Sequence, residues 1–242
     1  MLKLLRNSLL SAIYPQECRV CSAHVEDRDD GVACRRCWAA TRVFPCEVTL
    51  CVKCGGLLDI HGARSDAQCR NCTDHFYEKA AAAGVYEKAL AATIIELKST
   101  PFISANVSDL FRDAFDRAGY GGSTLLVPVP LSPKRQLERG FNQADILAAA
   151  LAKATGLRTD RHSLVRKTHS PIHRVGMDQK ARELTVRNAF AVARPKLMAG
   201  QHIVLVDDVL TSGATTSYCA KVLKKSGAAS VNVLTLARAV ND

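Results

Sequence analysis

The chain has 242 residues, 48% of them hydrophobic and 23% charged, with a formal net charge of +10. That balance excludes a disordered or fibrous chain and leaves room for one ordinary domain beside a smaller one. No apolar run reaches the roughly 18 residues of a membrane span, so no membrane insertion is expected.

The first segment carries Leu2, Leu5, Leu9 and Ile13 at helical spacing but breaks its apolar character at Arg6, Asn7 and Ser8. It reads as an amphipathic helix docking on a neighbouring domain rather than as a signal peptide. Nine of the ten cysteines then fall within the first 72 residues, and eight of them form four C-x-x-C pairs. Cys18, Cys21, Cys34 and Cys37 read C-x2-C-x12-C-x2-C, and Cys51, Cys54, Cys69 and Cys72 read C-x2-C-x14-C-x2-C. Each pair sets two thiolates on one tight turn, and two turns complete a tetrahedral four-sulfur shell. Two structural Zn2+ ribbons are predicted, with reduced thiols and hence a cytoplasmic location. Sequential grouping is the simpler arrangement, although spacing alone leaves interleaved ligation open. Gly55 and Gly56 suit the knuckle after Cys54, Cys46 is left over, and His24, His61 and His75 read as surface residues. Residues 1–79 hold 11 basic against 10 acidic residues. So small a surplus favours a metal-stabilised scaffold or partner-docking module over a strong nucleic-acid binder.

Gly/Pro punctuation and the end of the cysteine density place a boundary after residue 78, giving modules over 1–78 and 79–242. Ala-rich helical periodicity is expected to take over directly beyond it. Helices are predicted from Tyr86 to Lys98 and from Ala105 to Ala118, followed by a strand over 124–130 and a helix over 141–155 closed by Gly156. A less regular basic stretch leads to a strand over 202–208, a helix from Thr215 to Lys225 closed by Gly227, and a strand over 230–237. Apolar strands separated by helices argue for an α/β fold with a parallel sheet covered on both faces. Residues 134–196 hold 14 basic against 5 acidic residues, a concentration that suits a polyanionic ligand.

The stretch VLVDDVLTSGATT carries the most chemistry. Ligands of an open parallel sheet gather at the carboxyl ends of its strands. With a strand over 203–206, Asp207 and Asp208 stand at such a rim. Thr211, Ser212, Gly213, Ala214 and Thr215 follow as a small-residue loop opening a helix, which lets successive backbone amides and hydroxyls converge on one anion. Carboxylates beside a phosphate cradle repel phosphate but accept hydrogen bonds from hydroxyls, so the fitting ligand is a sugar phosphate with a vicinal diol. A P-loop would need Lys after Gly213, and the dinucleotide fingerprint is absent. A receiver domain would need far more chain than the 34 residues beyond Asp208. Cys219, inside the following helix, reads as a small core residue rather than a nucleophile.

This stretch resembles the ribose-phosphate loop of type I phosphoribosyltransferases, which bind 5-phosphoribosyl 1-diphosphate (PRPP). The resemblance implies that Asp207 and Asp208 hold the ribose hydroxyls and that Thr211 to Thr215 hold the 5-phosphate. It also implies a second anion site for the departing diphosphate. Leu131 and Ser132 supply its loop, and Lys134, Arg135 and above all Arg139 its charge. Taken with the cysteine module, VPVPLSPKRQLERGFNQA is similar to the ComF family of competence-associated phosphoribosyltransferase-like proteins over nearly the whole chain. Arg135, Arg139, Gly140, Phe141, Asn142 and Gln143 match that family's motif, although Asn142 and Gln143 read equally as a helix cap. The basic segment before Phe190 stands where such transferases carry a lid, with Arg166, Lys167, His173, Arg174 and Arg182 as candidate phosphate contacts. Arg174, Met177, Thr185 and Asn188 depart from the family's usual lid pattern.

The implied function is Mg2+-dependent transfer of phosphoribose from PRPP with inversion at C1, catalysed by Asp207, Asp208 and Arg139, with Mg2+ held chiefly by PRPP oxygens and water. The alternative is a protein of DNA uptake that keeps the fold, binds single-stranded DNA and does not turn over. The ribbons then contact nucleic acid, and residues 134–196 contribute most of the positive field.

Overall fold

The computed structural model describes residues 15–45, 49–58, 67–69, 72, 74–167 and 189–240. The expected lead helix, Cys46, His61, His173, Arg174, Met177, Arg182, Thr185 and Asn188 lie outside them.

Strands β3 (Ala80–Val85), β4 (Leu125–Pro128), β5 (Arg158–Thr159), β8 (His202–Leu210) and β9 (Ser230–Arg238) pair in parallel in the order β3-β9-β8-β4-β5. Ile203, Val204, Leu205 and Val206 are all fully buried, because the sheet is covered on both sides. Ile203 and Leu205 pack with Cys219, Ala220 and Leu223 of α6 (Ala214–Lys225). Val204 and Val206 pack on the other face, against α2 (Lys88–Glu96), α3 (Ala105–Arg117) and α5 (Gln143–Thr155), through Ile94, Phe111, Leu147 and Leu151. The parallel α/β architecture and the main helices therefore stand as expected, with Cys219 a core residue. Among the described residues no helix is long and apolar enough to cross a membrane.

Two local expectations change, and a stretch with no predicted element acquires one. Residues directly after 78 form β3 rather than helix. Ala80 to Val85 pair with β9 and are largely buried, and that pairing outweighs the helix propensity of alanine. Second, the basic run after Ser132 forms a helix, α4 (Pro133–Arg139). Ser132 Oγ accepts the Arg135 amide, Pro133 takes the first turn, and Gly140 at φ +76° ends it. Third, β8 continues past Val206 to Leu210, pairing Asp207 with Thr235 and Leu210 with Arg238. An antiparallel pair, β6 (Leu164–Arg166) and β7 (Phe190–Val192), flanks the segment between them.

The chain order of the strands creates a crevice. From β4 the chain passes through α5 to β5 on one side. From β8 it passes through α6 to β9 on the other side and the opposite face. The carboxyl ends of β4 and β8 thus flank a topological switch point, where loops diverge and leave room for a ligand.

The cysteine-rich part contributes α1 (Arg35–Ala39) and the antiparallel pair β1 (Thr49–Leu50) and β2 (Leu57–Leu58). Phe44 packs on Ala82 and Val85, while the Phe44 amide donates to Ala83 O at 2.8 Å and the Val85 amide to Arg42 O at 2.8 Å. Residues 42–44 thereby cover the free edge of β3. Gly84 permits this approach, since a Cβ there would lie 2.5 Å from Arg42 O and 2.7 Å from Leu90 Cδ1. Gly84→Ala is expected to destabilise the fold by about 1–3 kcal/mol through overpacking, read as a lower urea midpoint at unchanged slope.

Candidate functional site

The acids and the loop after them are placed by β8. Side chains alternate along a strand, so Asp207 follows the face of Ile203 and Leu205 while Asp208 follows that of Val204 and Val206. Asp208 Oδ2 accepts from Gln143 Nε2 of α5 at 3.3 Å. Asp207 faces the other way and is electrostatically coupled to Arg166 and Cys219. The two carboxylates straddle the strand instead of forming one rim. Each is also turned by the backbone: the Asp208 amide donates to Asp207 Oδ1 at 2.9 Å and the Val209 amide to Asp208 Oδ1 at 2.8 Å. Burial, then the negative charge of Asp208, holds the Asp207 carboxyl well above the usual carboxylate range, against the pull of Arg166.

Beyond Leu210 the chain turns through Thr211, Ser212 and Gly213 into α6, which Ala214 begins. Gly213 stands at φ +79° and caps the helix without a side chain. Ser212 Oγ accepts the Ala214 amide at 3.4 Å, and Thr216 Oγ1 donates to Gly213 O at 3.0 Å. Among the described residues, the amides of Ser212, Gly213, Thr215 and Thr216 meet no acceptor. Open amides at the start of a 12-residue helix form an anion site. Thr211 is exposed and Thr215 half-buried, so both hydroxyls stand near the surface.

The facing loop follows β4. Asn142 Nδ2 donates to Val129 O at 2.9 Å and its Oδ1 accepts the Ala144 amide at 3.2 Å, so the capping reading holds for Asn142. Gln143 does something different. It is 6% exposed, orients Asp208, and keeps a buried Oε1 with no partner among the described residues. Leu131 is half-buried in the loop, and Ser132 is buried as the cap of α4. Lys134 leans on Glu138 at 3.9 Å, with both side chains more than half exposed. Arg139 buries Nη1, and Arg166 buries Nε, with no acceptor among the described residues. The Arg166 guanidinium lies 5.3 Å from the centre of the Phe190 ring. Burial, followed by the charge of Arg135, pushes Arg166 down, against the pull of Cys219 and Asp207.

The eight paired cysteines gather into two sets. Within Cys18, Cys21, Cys34, Cys37 and within Cys51, Cys54, Cys69, Cys72, all sulfur atoms lie within 4.8 Å of one another. The grouping is sequential, which removes the interleaved alternative. Sulfur separations are 3.7 Å for Cys21–Cys34, 3.5 Å for Cys51–Cys72 and 3.6 Å for Cys54–Cys69. A tetrahedron with Zn–S bonds of about 2.3 Å has edges of about 3.8 Å, so the thiols fit that ion. Amides of Val20 and Cys34 donate to Cys18 Sγ at 3.4 and 3.3 Å, and that of Cys69 to Cys51 Sγ at 3.3 Å, favouring the thiolate form. A backbone hydrogen bond from Ala23, followed by Cys37 and Arg36, lowers the Cys21 thiol to about 6.

The second cysteine set abuts the anion loop. The Phe76 amide donates to Ser217 Oγ at 3.1 Å, and Tyr77 OH lies 2.6 Å from His75 Nδ1. A Cβ on Gly213 would meet His75 Cε1 at 2.8 Å and Tyr77 OH at 2.9 Å. His75 is therefore a packing partner of the loop and not a simple surface residue. Neither this contact nor the pairing of Gln143 with Asp208 has a sequence signal, because the partners are 138 and 65 residues apart.

Residues 137–241 match a family described as the phosphoribosyl transferase domain. The chain is 30% identical over 212 residues to the DNA utilization protein YhgH of Salmonella typhimurium, covering 84% of this chain and 89% of that one. It is 29% identical to Competence protein F of Haemophilus influenzae, covering 92% and 96%. Competence protein ComFC of Bacillus subtilis is 35% identical over 56% of this chain and 53% of its own.

Asp207 carries a stability signature. Its raised pKa means that the fold gains from its protonation; that gain is complete below the unfolded value of about 3.9 and is lost as pH rises through the raised folded value. Asp207→Asn keeps the acceptor for the Asp208 amide and removes the charge. The variant is expected to melt above the parent at pH 7, with the difference closing as the pH falls towards about 4.

Proposed function

The chain belongs to the ComF family of competence proteins with a phosphoribosyltransferase domain, and on that premise we propose that it binds PRPP with Mg2+ and transfers its phosphoribosyl group. The observation that carries this reading is the crevice between β4 and β8, where the open amides of residues 212–216 follow the Asp207–Asp208 pair, Gln143 holds Asp208 and the charge of Arg166 acts on Asp207. The 5-phosphate accepts from the amides of Ser212, Gly213 and Thr215 and from the Thr211 and Thr215 hydroxyls, with Ala214 packing beneath it. Ribose hydroxyls donate to Asp207 and Asp208, and Gln143 holds Asp208 while offering its unpaired Oε1. Arg135, Arg139 and Arg166, with Lys134 at the rim and the Leu131–Ser132 backbone, neutralise the diphosphate. Arg174 is assigned to the same anion by its charge and its place in the basic segment between the two anion loops.

When bound, Mg2+ would supply positive charge to the departing diphosphate and would be held chiefly by PRPP oxygens and water. The C1–O bond to diphosphate breaks and its electron pair leaves with diphosphate. The acceptor's lone pair closes on C1 from the opposite face, inverting the centre. The protein's own residues contribute position and preset charge, with no covalent intermediate.

The ribbon module of residues 1–78 holds two structural zinc ions, and residues 79–242 form the transferase module. Elemental analysis is expected to find two zinc atoms per chain, and a count of zero or one would refute the grouping.

A second reading has its own observation. The partly exposed Phe76 ring carries Lys221 Nζ 4.5 Å from its centroid and lies 6.3 Å from the Tyr218 ring. Aromatic faces beside a cation suit stacking of single-stranded bases, and one relative is named a DNA utilization protein. The two readings separate in solution. Calorimetry with PRPP and Mg2+ is expected to show saturable binding that falls at least about tenfold in Asp208→Asn. Unchanged PRPP binding in that variant, together with tight and steeply salt-dependent binding of single-stranded DNA, would establish the second reading instead.

A further inference from the structure

Arg238, the last residue of β9, spans two parts of the molecule that lie far apart in the chain. Its Nη1 donates to Leu210 O at 2.7 Å and also to Thr211 O, while Nη2 lies 3.9 Å from Cys54 Sγ in the second cysteine set. Its Nε is buried without an acceptor among the described residues. Gly56 packs against this guanidinium, since a Cβ there would lie 3.3 Å from both Arg238 Nη2 and Cys54 Sγ.

The consequence for the loop follows from peptide geometry. In a trans peptide the carbonyl and the next amide point in opposite directions. Tying the carbonyls of Leu210 and Thr211 to Arg238 turns the amides of Thr211 and Ser212 away from it, towards the side an anion can reach. The other end of the contact depends on the cluster's charge. Four thiolates around one divalent ion keep a net negative charge, which anchors a guanidinium; without the ion nothing holds the four sulfurs at these separations, and the contact loses its anchor. The Phe76–Ser217 bond and the packing of His75 and Tyr77 on Gly213 brace the same loop from the same module.

We infer that Arg238 is a positioning residue coupling the second four-cysteine site to the phosphate loop, so that metal in that site sets the loop's affinity for the phosphate ester of its substrate. This rests on the loop being the phosphate site proposed above.

The test uses the full chain and two readouts, amide hydrogen exchange over residues 210–216 without ligand and calorimetry with PRPP and Mg2+. Arg238→Met is expected to retain two zinc atoms, to exchange faster across the loop and to bind PRPP about tenfold more weakly, as loss of charged hydrogen bonds predicts. Arg238→Lys keeps the charge but cannot fork between two carbonyls, and is expected to fall between the two. Chelation of the wild-type protein is expected to speed exchange in the same segment, a route that needs no folded variant. Loop protection and PRPP affinity both unchanged in Arg238→Met would overturn the coupling. Should the wild type fail to bind PRPP, the phosphate reading fails, and the exchange data alone then decide whether Arg238 and the metal hold the loop.

Discussion

The parallel pairing of β8 with β9 governs the rest of the structure. Its register, from His202 opposite Ser230 to Leu210 opposite Arg238, carries the strand four residues beyond the buried run at 203–206. Those added residues set Asp207 and Asp208 on opposite faces, bring the loop to the end of the sheet, and deliver Arg238 beside that loop. A slip of one residue would exchange the faces of both acids and take Asp208 from Gln143.

The crevice holds more unmet polarity than a stable interior tolerates. Burial and the charge of Asp208 raise the Asp207 carboxyl, and buried atoms of Arg139, Gln143 and Arg166 lack partners among the described residues. Each such group costs desolvation free energy. Groups of this kind recover that cost when a polar ligand meets them, so under the proposed function the fold gives up stability where binding would restore it.

The cysteine module is joined to the sheet, not merely appended to it. Phe44 and the backbone of residues 42–44 close the edge of β3, and Phe76, His75 and Tyr77 press on the start of α6. A module this small has a thin apolar core: among the described residues Cys18, Cys34 and Cys37 cluster with Val25, Ala33 and Ala89, beside the half-buried Cys21 and Trp38. Metal would therefore supply much of its stability, and that stability is transmitted to the contacts it makes.

The chemistry that depends on near neighbours is legible in the sequence itself. Ligand spacing in the C-x-x-C pairs, the acid pair with its small-residue loop, and the apolar strands alternating with capped helices each depend on neighbours within one turn or one strand. What was misread depended on distant partners. Ala80 to Val85 look helical by composition and become a strand because β9 lies alongside. Asp207 and Asp208 look like one rim and are divided by the pleat, since the strand continues where the apolar run stops. Gln143, His75 and Arg238 acquire their roles through contacts across 65, 138 and 184 residues of chain. Local pattern records which residues prefer which backbone geometry and which atoms they offer. Only the folded sheet decides which of those atoms meet, because burial and strand pairing outweigh local preference wherever the two compete.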